Sequence, residues 1–147
     1  MTPHQFLLRV YYDDTDAQGI VYHGHYVRFM DHARTEMLRD AGINQTELLA
    51  TEGGYFVAGE LTMRYHASAR LDDQLIVNSR VTNMGNASVK IRQNIYKRVA
   101  SIDSLLLEGT ITLIYIAQST GKPVRIPETL RKALLPYHVI EDENNAS

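Results

Sequence analysis

Apolar positions recur with two different periods along the chain, and the switch between them marks out its elements. Near the N-terminus "FLLRVYYD" (residues 6–13) is β-branched or aromatic in part and runs into turn formers, which predicts a strand. The following "DDTDAQG" is punctuated by Asp and Gly and reads as a loop. From about Gly24 the period becomes helical. Tyr26, Phe29, Met30, Ala33, Met37 and Ala41 recur at three- and four-residue spacing, while Arg28, Asp31, His32 and Arg39 fill the other side. That pattern predicts an amphipathic helix of roughly four to five turns, with Gly42 at its C-terminal cap.

"NQTELLATEGG" predicts a short second helix, with Asn44 as N-cap and Glu47 as its capping-box partner. The pattern then turns to β. "YFVAGELTMRYHA", "QLIVNSRVTNM", "SVKIRQNIYKRV" and "SLLLEGTITLIYIA" are four strand-like runs separated by "SARLDD", "GNA" and "ASID". In the third run Val89, Ile91 and Ile95 share one parity, and Lys90, Arg92 and Asn94 the other. "STGKPVRIP" reads as a turn, "PETLRKALL" as a short helix with Pro127 near its start, and "EDENNAS" as a frayed polar tail.

A long helix with one apolar stripe must bury it, and the strands are the only large partner. The expected class is therefore α+β: a curved antiparallel sheet wrapped around one long central helix. No repeat, linker or low-complexity run divides the 147 residues, so a single domain is expected, with its core at about 6–135 and the tail at about 141–147.

Composition narrows the function. A net charge of -2 gives no general electrostatic footprint for nucleic acid or an anionic membrane. The absence of cysteine excludes disulfides, thiolate zinc sites and a cysteine nucleophile. The N-terminal residues lack the form of a signal peptide, and no apolar run is long enough to span a bilayer, so a cytoplasmic location is expected.

The candidate chemistry is concentrated in "YYDDTDAQGIVYHGHY", residues 11–26. Asp16 lies seven residues before His23, just ahead of the helix start. Free N–H groups in a helix's first turn, backed by roughly half a unit of positive charge, form a site for a developing oxyanion. Gly19 and Gly24 allow close backbone approach, and a carboxylate from the loop would complete an acyl-transfer arrangement. The residues alone leave other readings open. Asp14, Asp16, Gln18 and Gly19 imitate the opening of a calcium loop, but its twelfth position would be His25 rather than Glu. "HGH" with Asp16 is a conceivable metal set. A solvated acidic turn capping the helix is the plainest reading. No G-x-S-x-G elbow or P-loop is present.

The run "RVYYDDTDAQGIV" resembles the signature of the 4-hydroxybenzoyl-CoA thioesterase family, and the likeness continues through "YHGHYVRFMDHARTEML", "YHASARLDDQL" and "GKPVRIP". It covers about residues 6–135 and is greatest to the YbgC-type acyl-CoA thioesterases associated with the Tol-Pal envelope system. The resemblance implies a hotdog fold and hydrolysis of an acyl-CoA thioester without metal or cofactor. It places the catalytic aspartate at Asp16, as nucleophile or general base, and the oxyanion donor at the backbone N–H of His23. Tyr22, Gly24, His25, Tyr26, Ser68 and Lys90 are the expected substrate-binding residues. Asp13 and Asp14 are left to turn formation and solvation, and Glu36 to surface charge.

Two departures from the family pattern stand out. The turn Gly85-Asn86-Ala87-Ser88 lacks the basic residue that often meets CoA phosphates there, leaving Lys90, Arg92, Lys97 or Arg98, or an acyl carrier protein donor, to replace it. Ser68 stands where relatives commonly have proline. The resemblance also implies a homodimer or homotetramer, with residues 55–70 completing a partner's pocket. A dehydratase would need a histidine set against a second acid, and no such motif is evident. A non-catalytic acyl-binding module is the rival from another class.

Overall fold

A computed structural model of the chain describes residues 2–139, so the tail expected at 141–147 lies outside the described residues. Its elements are β1 (His4–Arg9), α1 (His23–Asp40), α2 (Gln45–Glu52), β2 (Gly54–Tyr65), β3 (Gln74–Met84), β4 (Ser88–Val99), β5 (Ile102–Ala117) and α3 (Glu128–Leu134). The five strands form one antiparallel sheet in the order β1-β3-β4-β5-β2. This is the hotdog fold.

β1 and β2 sit at opposite edges, so the chain between them must cross the whole sheet. Four strand spacings are roughly 19 Å, within the reach of α1, whose 18 residues span about 27 Å. α1 makes the crossing along the inner face. Tyr26, Phe29, Met30, Ala33, Met37 and Leu38 are buried there against Val77, Val81, Val89, Ile91, Ile95, Leu107 and Ile111. The stripe is the expected one, with Leu38 added and Ala41 only partly buried.

The interior also holds a polar clamp. Gln93 is fully buried on the same parity as Val89, Ile91 and Ile95. Its Nε2 donates to the Met30 carbonyl at 2.9 Å and to Ser79 Oγ at 2.9 Å, while its Oε1 accepts from Arg34 at 2.9 Å. One amide thus ties the middle of α1 to β3 and β4. Burial pushes the Arg34 guanidinium down from its ordinary value, with Asp31 opposing. Gly109 faces the same spot: a Cβ there would lie 2.6 Å from Met30 Cε, so a side chain would push the tip of Met30 aside.

Three boundaries differ from the sequence expectation. β1 ends at Arg9, and Tyr12–Asp14 form a 3₁₀ turn in which Tyr11 and Tyr12 are 65% and 83% exposed. Aromatic residues there imitate a strand while facing solvent. β4 and β5 are joined by only Ala100 and Ser101, both at positive φ (49° and 70°), so β5 starts at Ile102. A two-residue turn of this kind normally carries Asn or Gly, which hid it. α1 begins at His23 rather than Gly24. Asn44 does cap α2, its side chain accepting from the N–H groups of Thr46 and Glu47.

Removing the Gln93 amide takes a buried partner from the Met30 carbonyl, from Ser79 and from Arg34, which keeps Asp31. Gln93→Ala is expected to lower unfolding free energy by about 2–4 kcal/mol in urea titrations.

Candidate active site

Between β1 and α1 the chain folds into two nested turns. Asp14 N–H donates to the Tyr11 carbonyl at 3.0 Å, and Tyr11 N–H donates to Asp14 Oδ2 at 2.8 Å, which closes the 3₁₀ turn. Thr15 then pairs with Val21, Asp16 N–H donates to the Ile20 carbonyl at 2.9 Å, and Gly19 N–H donates to the Asp16 carbonyl at 3.0 Å. Gly19 makes this second turn at φ +77°, which a side chain would strain. Asp16 Oδ1 accepts from Gln18 N–H at 2.8 Å, an Asx-type bond that fixes the carboxylate at the head of the turn. The chain returns through Tyr22, whose N–H donates to the Asp14 carbonyl at 3.1 Å, and enters α1.

The three aspartates therefore differ. Asp13 is exposed, as expected. Asp14 is 4% exposed rather than solvated, which corrects the sequence reading of a surface turn residue. Its Oδ1 meets the guanidinium of Arg28 and lies 3.3 Å from His25 Nδ1. A buried carboxylate needs such partners, and Arg28, one turn into α1, binds the loop to the helix. Asp16 is exposed and lacks an ion-pair partner among the described residues.

Asp16 lines a cleft of about 320 Å³ together with Ile20, Val21, His23, Tyr26, Tyr65, His66, Ala67 and Ser68. On its other side is a depression of about 420 Å³ bordered by Tyr12, Thr15, Gly19 and Leu71. The first cleft receives the N-terminus of α1. No side chain caps that helix, and His25 N–H makes the bond back to the Tyr22 carbonyl at 2.8 Å. The N–H groups of His23 and Gly24 precede that bond and have no partner within the helix. Tyr65 closes the cleft from β2: its hydroxyl donates to the His23 carbonyl at 3.1 Å, and its ring lies 5.6 Å from that of Tyr26. Tyr26 in turn accepts from Ala69 N–H at 2.9 Å. Partial desolvation pushes both tyrosine hydroxyls up from their ordinary values, so they remain protonated donors.

Asp16, His23, Tyr26 and Ser68 thus share one cleft. Tyr22 is half-exposed, stacked at 4.5 Å on His23 and folded over Gly24. His25 turns away to Asp14 and Arg28 and does not line the cleft, so the two histidines of "HGH" diverge. Lys90 is exposed on the outer face of β4, five residues from Ile95 and so roughly 17 Å along the strand from the cleft end. Residues 65–68, expected to complete a partner's pocket, line the cleft of their own chain. Glu36 pairs with Arg39 at 3.5 Å on the outer side of α1. Among the other basic residues, Lys97 pairs with Asp73, and Arg98 with Asp103. The turn Gly85–Ser88 is met instead by Arg131, donating to the Gly85 carbonyl, and Arg125, donating to Asn86, both at 2.9 Å.

The sequence also hid one arrangement. His66 Nε2 lies 3.0 Å from Glu108 Oε2, and Arg92 donates to Glu108 Oε1 at 3.3 Å. This is a histidine set against a second acid, the motif that was not evident along the chain. Its members are 42 residues apart and meet only through the pairing of β2 with β5.

The comparisons with known proteins place the chain in a family. The thioesterase superfamily model matches residues 18–100. The chain belongs to the thioesterase superfamily. It is 40% identical over 123 residues to the acyl-CoA thioester hydrolase YbgC of Escherichia coli O6:H1, covering 84% of this chain and 89% of that one. It is 34% identical to the acyl-CoA thioesterase YbgC of Haemophilus influenzae, covering 87% and 91%. Among solved structures, a probable thioesterase from Bartonella henselae superposes with a TM-score of 0.77 at 33% identity, covering 85% and 99%. A 4-hydroxybenzoyl-CoA thioesterase superposes at 0.85 with 14% identity, covering 91% and 99%, which is a likeness of fold alone. Among the described residues no helix is long and apolar enough to cross a membrane.

Asp14→Ala removes the acceptor of Tyr11 N–H and the partner of Arg28. It is expected to cost about 2–3 kcal/mol in thermal or urea unfolding. Asp16→Asn, on an exposed turn, is expected to change stability by less than about 0.5 kcal/mol.

Proposed function

We propose that this chain hydrolyses the thioester of an acyl-CoA to the free acid and CoA. The observation that carries the reading is one cleft holding both the Asp16 carboxylate and the uncapped N-terminus of α1. A carbonyl oxygen becomes an oxyanion in the tetrahedral intermediate, and N–H groups fixed beforehand stabilise that charge without reorganising. In this reading His23 N–H, with Gly24 N–H beside it, receives the oxygen. Asp16 attacks the carbonyl carbon to form a mixed anhydride, or takes the proton of an attacking water. The similarity to YbgC acyl-CoA thioesterases supports the substrate class.

The site works in a homodimer or homotetramer in this proposal, with Tyr22 and Ser68 at the margin where substrate enters. Support comes from β2, a 12-residue edge strand whose residues are almost all exposed or only partly buried. A long open edge is a template for pairing, and a second copy would cover it. CoA and acyl carrier protein are the two carriers to compare.

Two measurements test the reading. On a panel of aliphatic and aromatic acyl-CoA and acyl carrier protein thioesters, wild type turns over at least one, and Asp16→Asn loses about 10²–10⁴-fold in kcat with the fold intact. Full activity in Asp16→Asn would overturn the role of the carboxylate. Single turnover in ¹⁸O water then adds a one-way test: label in Asp16 requires an anhydride opened at the Asp16 carboxyl carbon and so means nucleophilic attack.

A further inference from the structure

Around the cleft, one polar chain is absorbed neither by the fold nor by the oxyanion chemistry. Arg92 on β4, Glu108 on β5 and His66 at the end of β2 form a line across three strands, and its last member lines the same cleft as Asp16. The His66 hydrogen bond, followed by its charge and then Arg92, holds the Glu108 carboxyl below the usual carboxylate range. An ionised Glu108 has no proton to donate, so His66 Nε2 must carry the hydrogen between them. That fixes the imidazole and leaves Nδ1 as its second, exchangeable nitrogen. The backbone supports the placement, because His66 N–H donates to the Leu106 carbonyl at 2.8 Å.

Resting on the thioesterase reading above, we infer that His66, held by Glu108, is the acid that protonates the departing thiolate. The chemical need is specific. A CoA-type thiol has a pKa of about 8.5, like cysteine, so at neutral pH it would leave as an anion unless a proton is supplied. The tetrahedral intermediate is already an anion, and its collapse moves that charge onto sulfur, so a proton delivered there neutralises it.

In the proposed step the attacking oxygen bonds to the acyl carbon, and the carbonyl π pair moves onto the oxygen facing the His23 and Gly24 N–H groups. When that intermediate collapses, the C–S bond breaks with its electron pair on sulfur, and sulfur takes the proton from His66 Nδ1. Water supplies the hydroxyl of the acid, and its other hydrogen restores the imidazolium. Thioester and water thus become acid and thiol. The charged or titratable groups around His66 are Glu108 on β5, Arg92 behind it on β4, Arg64 and Tyr65 on β2, Asp16 in the loop, and His23 and Tyr26 on α1.

The leaving group separates acid catalysis from a structural role. The test compares wild type, His66→Gln and Glu108→Gln on two thioesters of one acyl group, one with CoA and one with an electron-poor aryl thiol that leaves readily without a proton. His66→Gln is expected to lose about 10–100-fold in kcat on the CoA ester and nothing on the aryl ester. Glu108→Gln is expected to lose less, in the same pattern. Equal loss on both esters, or no loss on either, would overturn the role of His66 and leave the thioesterase reading standing. A wild type that cleaves neither ester would overturn both.

Discussion

The structure depends on one constraint: α1 must cross the sheet from edge to edge with its apolar stripe facing inward. Its large buried side chains, Phe29, Met30, Met37 and Leu38 among them, each contribute about 1.5–3 kcal/mol by leaving water, and only the curled inner face of the sheet can accept them. Burying one apolar stripe sets the rotation of the helix but not its axial position. The Gln93 amide, held also by Ser79 on β3, fixes that position, because a shift along the axis would break its bonds to the Met30 carbonyl and Arg34. On the neighbouring strand, Gly109 leaves room for the Met30 side chain. Once that crossing is fixed, so is the point where the N-terminus of α1 emerges, and the loop of residues 10–22 is built around that point.

Within the loop, the proposed function divides structure and chemistry between two carboxylates. Asp14 is buried and bound to Tyr11 N–H, Arg28 and His25, so it locks the loop to the helix. Asp16, two residues on, is held by one backbone N–H and otherwise faces the cleft. A carboxylate so heavily buried and partnered as Asp14 has no free face to offer a substrate. Asp16 keeps such a face because Asp14 supplies the rigidity.

How much of this was legible in the sequence follows from how local each feature is. The stripe of α1 and the alternation of β4 were legible because a period needs only neighbours along the chain. Asn44 was legible because its bonds reach two and three residues ahead. Gln93 was half legible: a polar residue on the apolar parity of β4 is a signal, but its partners are not. Tyr11 and Tyr12 misled because aromatic residues favour strands while these face water. The Asp14–Arg28 pair and the His66–Glu108 pair, 14 and 42 residues apart, are products of tertiary structure with no local pattern. Asp16 itself was singled out by family resemblance rather than by physics, since an Asp-rich turn before a helix is ordinary.

The central claim is that the uncapped start of α1 and Asp16 hold the reacting carbonyl between them. Amide NMR of the full chain titrated with a non-hydrolysable ketone analogue of an acyl-CoA tests it most directly. The account predicts that the largest shifts fall on the N–H groups of His23 and Gly24, with Asp16 and Tyr65 moving at the same analogue concentration. Shifts confined to the groove of about 310 Å³ between the end of α1, α2 and α3, with His23 and Gly24 unmoved, would contradict it.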